Sequence, residues 1–261
     1  MKTLIYQVYT GKRSKLYDHC TSSVKQYSKK IAADYICQRQ PILMIKPDVF
    51  QTNRNPRAWE QYGGFLPIFE KENAFTYLKS YDQIAIIDAD VYIRENAENI
   101  FEQVSNQYDF AAVMEREMPI TNQHAAKIKD YSRKQYGSIK NINWDWNHPA
   151  GGAYYNMGII VLNKSIEKYL KGETPKQFLN RPRFKPFVDG LGEWKWSTDQ
   201  TLLNVWIREE NMSIKNLDWK YNGLFGALKP GMIEQSQFVH FFLKKRLPEQ
   251  GENVQQLMEL I

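Results

Sequence analysis

Apolar residues in this chain fall into short dense runs separated by longer stretches with helical spacing. "TLIYQVY" at 3–9 reads as a first β-strand. "SSVKQYSKKIAA" at 22–33 places Val24, Tyr27 and Ile31 on one face of a helix. "PILMIKP" at 41–47 is an apolar run between prolines and predicts a second strand. Residues 56–79 read as mostly helical, broken near Gly63, Gly64 and Pro67. Strand 83–87 follows, then a helix over 95–104 ("ENAENIFEQV") and a buried strand over 110–115 ("FAAVME"). "YYNMGIIVLN" at 154–163 and "QFVHFF" at 237–242 return to strand character. Between them, "STDQTLLNVWIREEN" at 197–211 opens like a capping box, with Ser197 as N-cap and Gln200 three residues on. Leu202, Leu203, Trp206 and Ile207 form that helix's apolar face. A last helix is expected within 250–261, from the spacing of Val254, Leu257, Met258 and Ile261.

Alternating strands and helices predict an α/β sandwich with a largely parallel central sheet flanked by helices. No repeat, low-complexity tract or linker interrupts it, so the expectation is one domain over 1–261. Its halves would be about 1–115 and about 116–246, followed by the C-terminal helix.

Composition narrows the picture. The chain is 43% hydrophobic, enough for a real core, and carries 7 Trp and 16 Tyr. The net charge is +6, with seven Lys/Arg against two Glu between 164 and 185. Such a stretch suits phosphates or an anionic surface, and equally a solvated face. Cys20 and Cys37 sit 17 residues apart and outside any CxxC spacing, which points to free thiols in a reduced compartment. The opening "MKTLIYQVYTG" is too short and too polar for a signal peptide. No stretch reaches the roughly 20 apolar residues of a membrane span. The expected location is therefore the cytoplasm, with room for peripheral contact at the inner face of the membrane.

The chemistry concentrates at "IAIIDADVYI", residues 84–93. Asp88 and Asp90 stand one residue apart where a buried strand ends. Ligands bind beyond the carboxyl ends of strands in sheets of this kind. Acids after a strand are also common turn formers, so position rather than identity makes the pair notable. Two carboxylates held rigidly at a cleft edge suit a hard cation, Mg²⁺ or Mn²⁺, which would cancel their repulsion and bridge to phosphates. His240, inside the apolar run "FVHFF", is the best further ligand; the plain alternative is a satisfied core histidine. Lys244, Lys245 and Arg246 follow it. A metal ligand beside cations suits a diphosphate, and an imidazole favours Mn²⁺ over Mg²⁺.

These motifs, in this order, resemble glycosyltransferase family 8, which includes glycogenin and bacterial lipopolysaccharide galactosyl- and glucosyltransferases. The likeness covers most of residues 1–246. It rests on Asp88-Ala89-Asp90 after a hydrophobic strand, Tyr155-Asn156-Met157-Gly158, Asp199-Gln200 leading to Leu203-Asn204, and His240 in a late strand. The resemblance implies a GT-A fold, a nucleotide-sugar donor such as a UDP-sugar, Mn²⁺ and retention of anomeric configuration. Asp88, Asp90 and His240 would hold the metal. Tyr9 and Thr10 would flank the nucleoside. Asn156 and Asp199 would line the donor-sugar pocket, with Gln200 close to the anomeric carbon. Lys71 is the candidate for a basic residue that grips the donor, and Lys244 and Lys245 would assist the diphosphate. Two departures stand out: "HFFLKKRLP" lacks the family's Gly and its Lys-Pro-Trp, and Met157 replaces a small residue.

Trp144, Asp145, Trp146 and His148 in the loop "WDWNHPAGG" are the acceptor-site candidates, since indole faces stack on sugar rings. A surface loop pinned by buried Trp is the plain alternative. "GLGEWKWS" at 190–197 would be a lid or a tight turn. The acceptor is expected to be a glycan, free or lipid-linked, and no nucleic acid is expected.

Three rivals remain. A haloacid-dehalogenase-like phosphatase also uses a strand-terminal DxD, but near its N-terminus and with a later acidic pair. A sugar nucleotidyltransferase would want a Gly-rich basic loop after its first strand, and "YTGKRSK" at 9–15 is a faint echo. A carbohydrate- or nucleic-acid-binding module would gain little from an acidic pair that repels phosphate without metal.

Overall fold

The computed structural model describes residues 1–48, 63–137, 139, 143–148, 151, 154–190, 194 and 198–261. A six-stranded sheet runs through the centre. Its strands are β1 (Thr3–Val8), β2 (Asp34–Gln38), β3 (Gln83–Ile87), β5 (Phe110–Met114), β6 (Tyr155–Asn163) and β7 (Ile214–Asn216), in the order β2-β1-β3-β6-β5-β7. β6 is antiparallel to both neighbours; the other pairings are parallel. A smaller sheet joins β4 (Val91–Ile93), β9 (Phe238–His240) and β8 (Gly223–Leu224) in that order.

Strand alternation builds two cores, one on each face of the large sheet. Leu4, Tyr6, Ile84 and Ile86 pack with Phe69, Phe75 and Trp206 on one side. Ile5, Ala85, Ile87 and Ile159 pack with Val24, Tyr27, Phe101 and Phe238 on the other. Both faces are covered, so β3, β5 and β6 are buried at every position. That is why they read as continuous apolar runs in the sequence.

Several elements differ from the sequence expectations. The second strand is "DYICQ" at Asp34–Gln38, not 41–47. Residues 42–44 instead wrap a buried acid: the amides of Ile42, Leu43 and Met44 all donate to the Glu70 carboxylate. The first helix starts earlier, spanning Lys15–Lys30, because Leu16 and Cys20 continue its buried face upstream. Within the expected 56–79 helix, Pro67–Tyr77 forms 3-10 turns, and the part before Gly63 lies outside the described residues. The expected helix over 95–104 shrinks to one turn, Ile100–Gln103, capped by Asn99. The carbonyls of Glu95 and Ala97 accept from Lys30 Nζ, and that of Glu98 accepts from the Tyr27 hydroxyl. Tertiary donors thus take the bonds a helix would have used. The Asp199–Glu209 helix is capped by Thr198, paired with Thr201; Ser197, the expected cap, lies outside the described residues. The last helix is only Val254–Glu259. Among the described residues, no helix is long and apolar enough to cross a membrane.

Candidate active site

The site forms where β1 and β3 end. The Asp88 amide donates to the Gly158 carbonyl of β6 (2.8 Å), and Gln7 Nε2 donates to the Asp88 carbonyl (3.1 Å). These bonds hold the turn after β3 in place. The chain then enters β4, whose Val91 pairs with His240 of β9. The Phe241 amide donates to the Asp90 carbonyl. That register brings a histidine 150 residues away beside the acidic pair. His240 Nε2 lies 3.3 Å from Asp90 Oδ1 and 3.9 Å from Asp88 Oδ2.

Lys71 completes the cluster. Its ammonium pairs with Asp88 Oδ1 (2.8 Å) and Asp199 Oδ2 (2.7 Å) and donates to the Met157 carbonyl (3.1 Å). Burial opposes that charge, but Asp199 and Asp88 outweigh it and hold the ammonium above its usual range. Burial pushes the Asp88 carboxyl up, to about 6, against the pull of Lys71. Asp90 is also disfavoured by burial, yet the His240 charge and hydrogen bond win and hold it below the usual carboxylate range. For His240, burial works against the proton and Asp90 more than restores it, so the imidazole titrates above its ordinary value.

Asp88 therefore divides its oxygens, one to Lys71 and one towards His240. The Asp88, Asp90 and His240 ligand atoms lie within 4.8 Å of one another. Two carboxylates and an imidazole converging at a partly open position fit a divalent cation. Both acids face a cleft of about 260 Å³ walled by Tyr9, Thr10, Tyr17 and Ile68.

Around the cleft, Tyr9 is buried, its hydroxyl accepts from the Ser14 amide, and the Arg39 guanidinium lies 4.2 Å above its ring. Thr10 and Ala89 line the same cleft. Lys244 sits over the Tyr17 ring at 5.0 Å but donates to Ser14 Oγ and Glu252. Lys245 is exposed.

Asn156 and Gln200 lie behind the acids. The Asn156 amide is buried and bonds to Glu115, Gly158 and Asn222. Gln200 Oε1 accepts from the Met157 amide. In the acceptor candidates, Trp144 and Trp146 pack against the core edge, while Asp145 and His148 are exposed. Asp145 Oδ1 accepts from the Asn147 amide, and the His148 carbonyl accepts from Arg116. Most of "GLGEWKWS" lies outside the described residues; Trp194 packs edge-on against Phe187.

Sequence reasoning passed over three residues. Glu115 follows β5 and is buried, its carboxyl pushed up to about 7 by burial. It ends an apolar strand just as Asp88 does, and that signal could have found it. Asn222 is fully buried and touches His240, with no local signal to mark it. Glu72 is buried with neither oxygen hydrogen-bonded among the described residues, and burial raises its carboxyl well above the usual range.

No family model matches the sequence, and no curated protein matches it. Solved structures do. A glycosyltransferase involved in glycosylating the major capsid of PBCV-1 superposes with a TM-score of 0.55 at 12% identity, covering 100% of both chains. An active-site mutant of LgtC gives 0.54 at 9% identity, covering 98% of this chain and 95% of that one. Mouse xyloside xylosyltransferase 1 gives 0.51 at 12%, covering 95% and 100%. At such identities the likeness speaks for architecture alone. The chain has the α/β fold of GT-A glycosyltransferase structures, with a mostly parallel central sheet flanked by helices.

Proposed function

We propose that the protein is a metal-dependent glycosyltransferase that moves a sugar from a nucleotide-diphosphate donor, a UDP-sugar, to a hydroxyl of a glycan acceptor. The observation that carries this reading is the Asp88, Asp90 and His240 group at the strand ends, opening on a cleft in a fold shared with glycosyltransferases. Asp88 Oδ2, Asp90 and His240 Nε2 would hold Mn²⁺. When bound, the cation supplies positive charge to the departing diphosphate.

The chain's own groups do the rest. Tyr9 and Thr10 flank the nucleoside. Lys71 pins Asp88 and Asp199 in one arrangement and keeps the cleft floor from accumulating repulsive charge. Gln200, anchored to the Met157 amide, stands behind the donor sugar. In transfer the bond from the anomeric carbon to the diphosphate breaks and a bond to the acceptor oxygen forms, the acceptor proton passing to a diphosphate oxygen. Attack from the leaving group's side gives retention. Residues 1–261 act as one unit, with donor groups from both halves (Tyr9, Thr10, Asp88 and Asp90 from the first, Gln200 and His240 from the second) and acceptor contacts from Trp144, Asp145, Trp146 and His148. The free thiols of Cys20 and Cys37 suit the reducing cytoplasm.

Calorimetric titration with UDP, in Mn²⁺ and then in EDTA, tests the reading, with GDP and ADP as controls. Tight binding of UDP alone, lost in EDTA, is expected. Absence of binding by any nucleoside diphosphate in either condition would overturn it.

A further inference from the structure

Behind the acidic pair, buried amides form a chain whose direction is set by one backbone group. The Gly158 amide can only donate, and it donates to Asn156 Oδ1 (3.0 Å). That fixes the Asn156 side chain, so its Nδ2 faces Glu115 Oε1 (2.8 Å). Asn222 Nδ2 must then be the group that donates to Asn156 Oδ1 (2.8 Å). Its other end, Oδ1, is left facing His240 Nδ1 at 3.0 Å. An amide oxygen only accepts, so Nδ1 has to carry the proton. Each orientation follows from the one before, and none is a free choice between amide flips.

The packing leaves no slack. Asn222 is 0% exposed and His240 4%. A Cβ at position 158 would sit 2.2 Å from His240 Cε1, so only glycine allows the ring its place. The opposite ring nitrogen, Nε2, points at Asp90 and Asp88.

We propose that Asn222 is a positioning residue that holds His240 in its Nδ1–H tautomer, presenting the Nε2 lone pair to a divalent cation. The inference rests on the glycosyltransferase reading for the cation's purpose, but not for the tautomer itself. A ligating imidazole whose far nitrogen donates to a fixed acceptor is oriented before the cation arrives.

The test uses ¹H–¹⁵N NMR of the metal-free full chain below the His240 titration, where Asp90 accepts at Nε2 and both ring nitrogens carry protons, with His240→Gln assigning the signals. The wild type should show an Nδ1–H resonance protected from exchange by Asn222. Asn222→Ala should lose that protection and weaken Mn²⁺ binding, read by electron paramagnetic resonance, about 10- to 100-fold. Asn222→Asp keeps an acceptor at the same place. It should keep the protected Nδ1–H and bind Mn²⁺ several-fold more tightly than Asn222→Ala. A wild type without a protected Nδ1–H would sink the proposal. So would Asn222→Ala with protection and affinity unchanged, whatever happens to its melting point. If Asn222→Ala fails to fold, loss of the protected Nδ1–H in Asn222→Asp overturns the proposal and its retention supports it. A wild type with a protected Nδ1–H but no Mn²⁺ affinity would overturn the metal-dependent function and leave the Nδ1–H assignment standing.

Discussion

The acidic pair at 88 and 90 and the basic stretch at 164–185 both concentrate like charge, and the fold treats them in opposite ways. The basic residues close on acids, one from within the stretch and the rest from outside it. Lys168 bonds Asp109, Arg181 bonds Glu173 and approaches Glu210, Arg183 spans Glu209 and Glu210, and Lys185 pairs with Asp48 and Asp189. Arg181 also covers the Phe178 ring and donates to the Tyr169 carbonyl. These cations clamp one segment to its neighbours, so of the two readings left open by composition, an anion-binding patch and a solvated face, much of the charge goes to neither and is paired within the fold. Among the described residues, the acidic pair is answered from behind, by Lys71 and His240, while 26% of the Asp88 side chain and 18% of Asp90 stay open to the cleft. Charge that the fold cancels internally builds structure; charge left facing a cavity is available to a ligand.

That contrast can be broken experimentally, and the largest effect belongs to the acidic pair. Asp90→Asn should weaken Mn²⁺-dependent UDP binding at least about 100-fold while leaving metal-free thermal stability nearly unchanged. Calorimetry and a melting curve check both halves, and wild-type binding in this variant would remove Asp90 from the site.

Lys71→Met comes next, and its effect is on folding. It leaves Asp199, 2% exposed, and Asp88 without their shared cation. A loss of about 3–5 kcal/mol is expected by urea unfolding, because a buried charge is left uncompensated. A loss below about 1 kcal/mol would mean the acids are solvated or protonated instead.

Glu115 makes a pH prediction. Burial raises its carboxyl from 4.5 to about 7, so the folded protein holds a proton that the unfolded chain has released. The stabilisation is full below 4.5 and is lost as pH rises to and through about 7. The slope is at most about 1.4 kcal/mol per pH unit. Asp88 and His240 are also raised, so only the difference between wild type and Glu115→Gln isolates it. Glu115→Gln should flatten the fall across that window in urea titrations; an unchanged slope would remove Glu115 as its source.

The smallest effect is expected in the basic stretch. Arg183 is 35% exposed and pairs at the surface, so Arg183→Ala should cost less than about 1 kcal/mol. UDP affinity should stay the same. A marked drop in that affinity would show that the stretch serves the ligand after all.

How much of this was readable beforehand depended on how local each feature is. β3, β5 and β6 are buried on both faces, so their apolar runs were plain. β2 is only partly buried and carries Asp34 and Gln38 at its ends, which hid it behind the more apolar 41–47. The helix expected at 95–104 had the right spacing, but Lys30 and Tyr27 claimed its carbonyls. Asp88, Asp90 and His240 stood out because charge or imidazole sat against apolar runs. Asn222 did not, since its role exists only through contacts with residues 66 positions before it and 18 after.

Local pattern along the chain carries the strand-and-helix alternation, the doubly buried strands and the acidic pair at a strand end. Each follows from apolar spacing within a few residues. Packing between distant segments placed Val91 opposite His240, made Lys71 bridge Asp88 and Asp199, and paired Lys168, Arg183 and Lys185 with Asp109, Glu210 and Asp48. The physical reason is that strand register and ion pairing are settled by burial and desolvation between segments far apart in the chain.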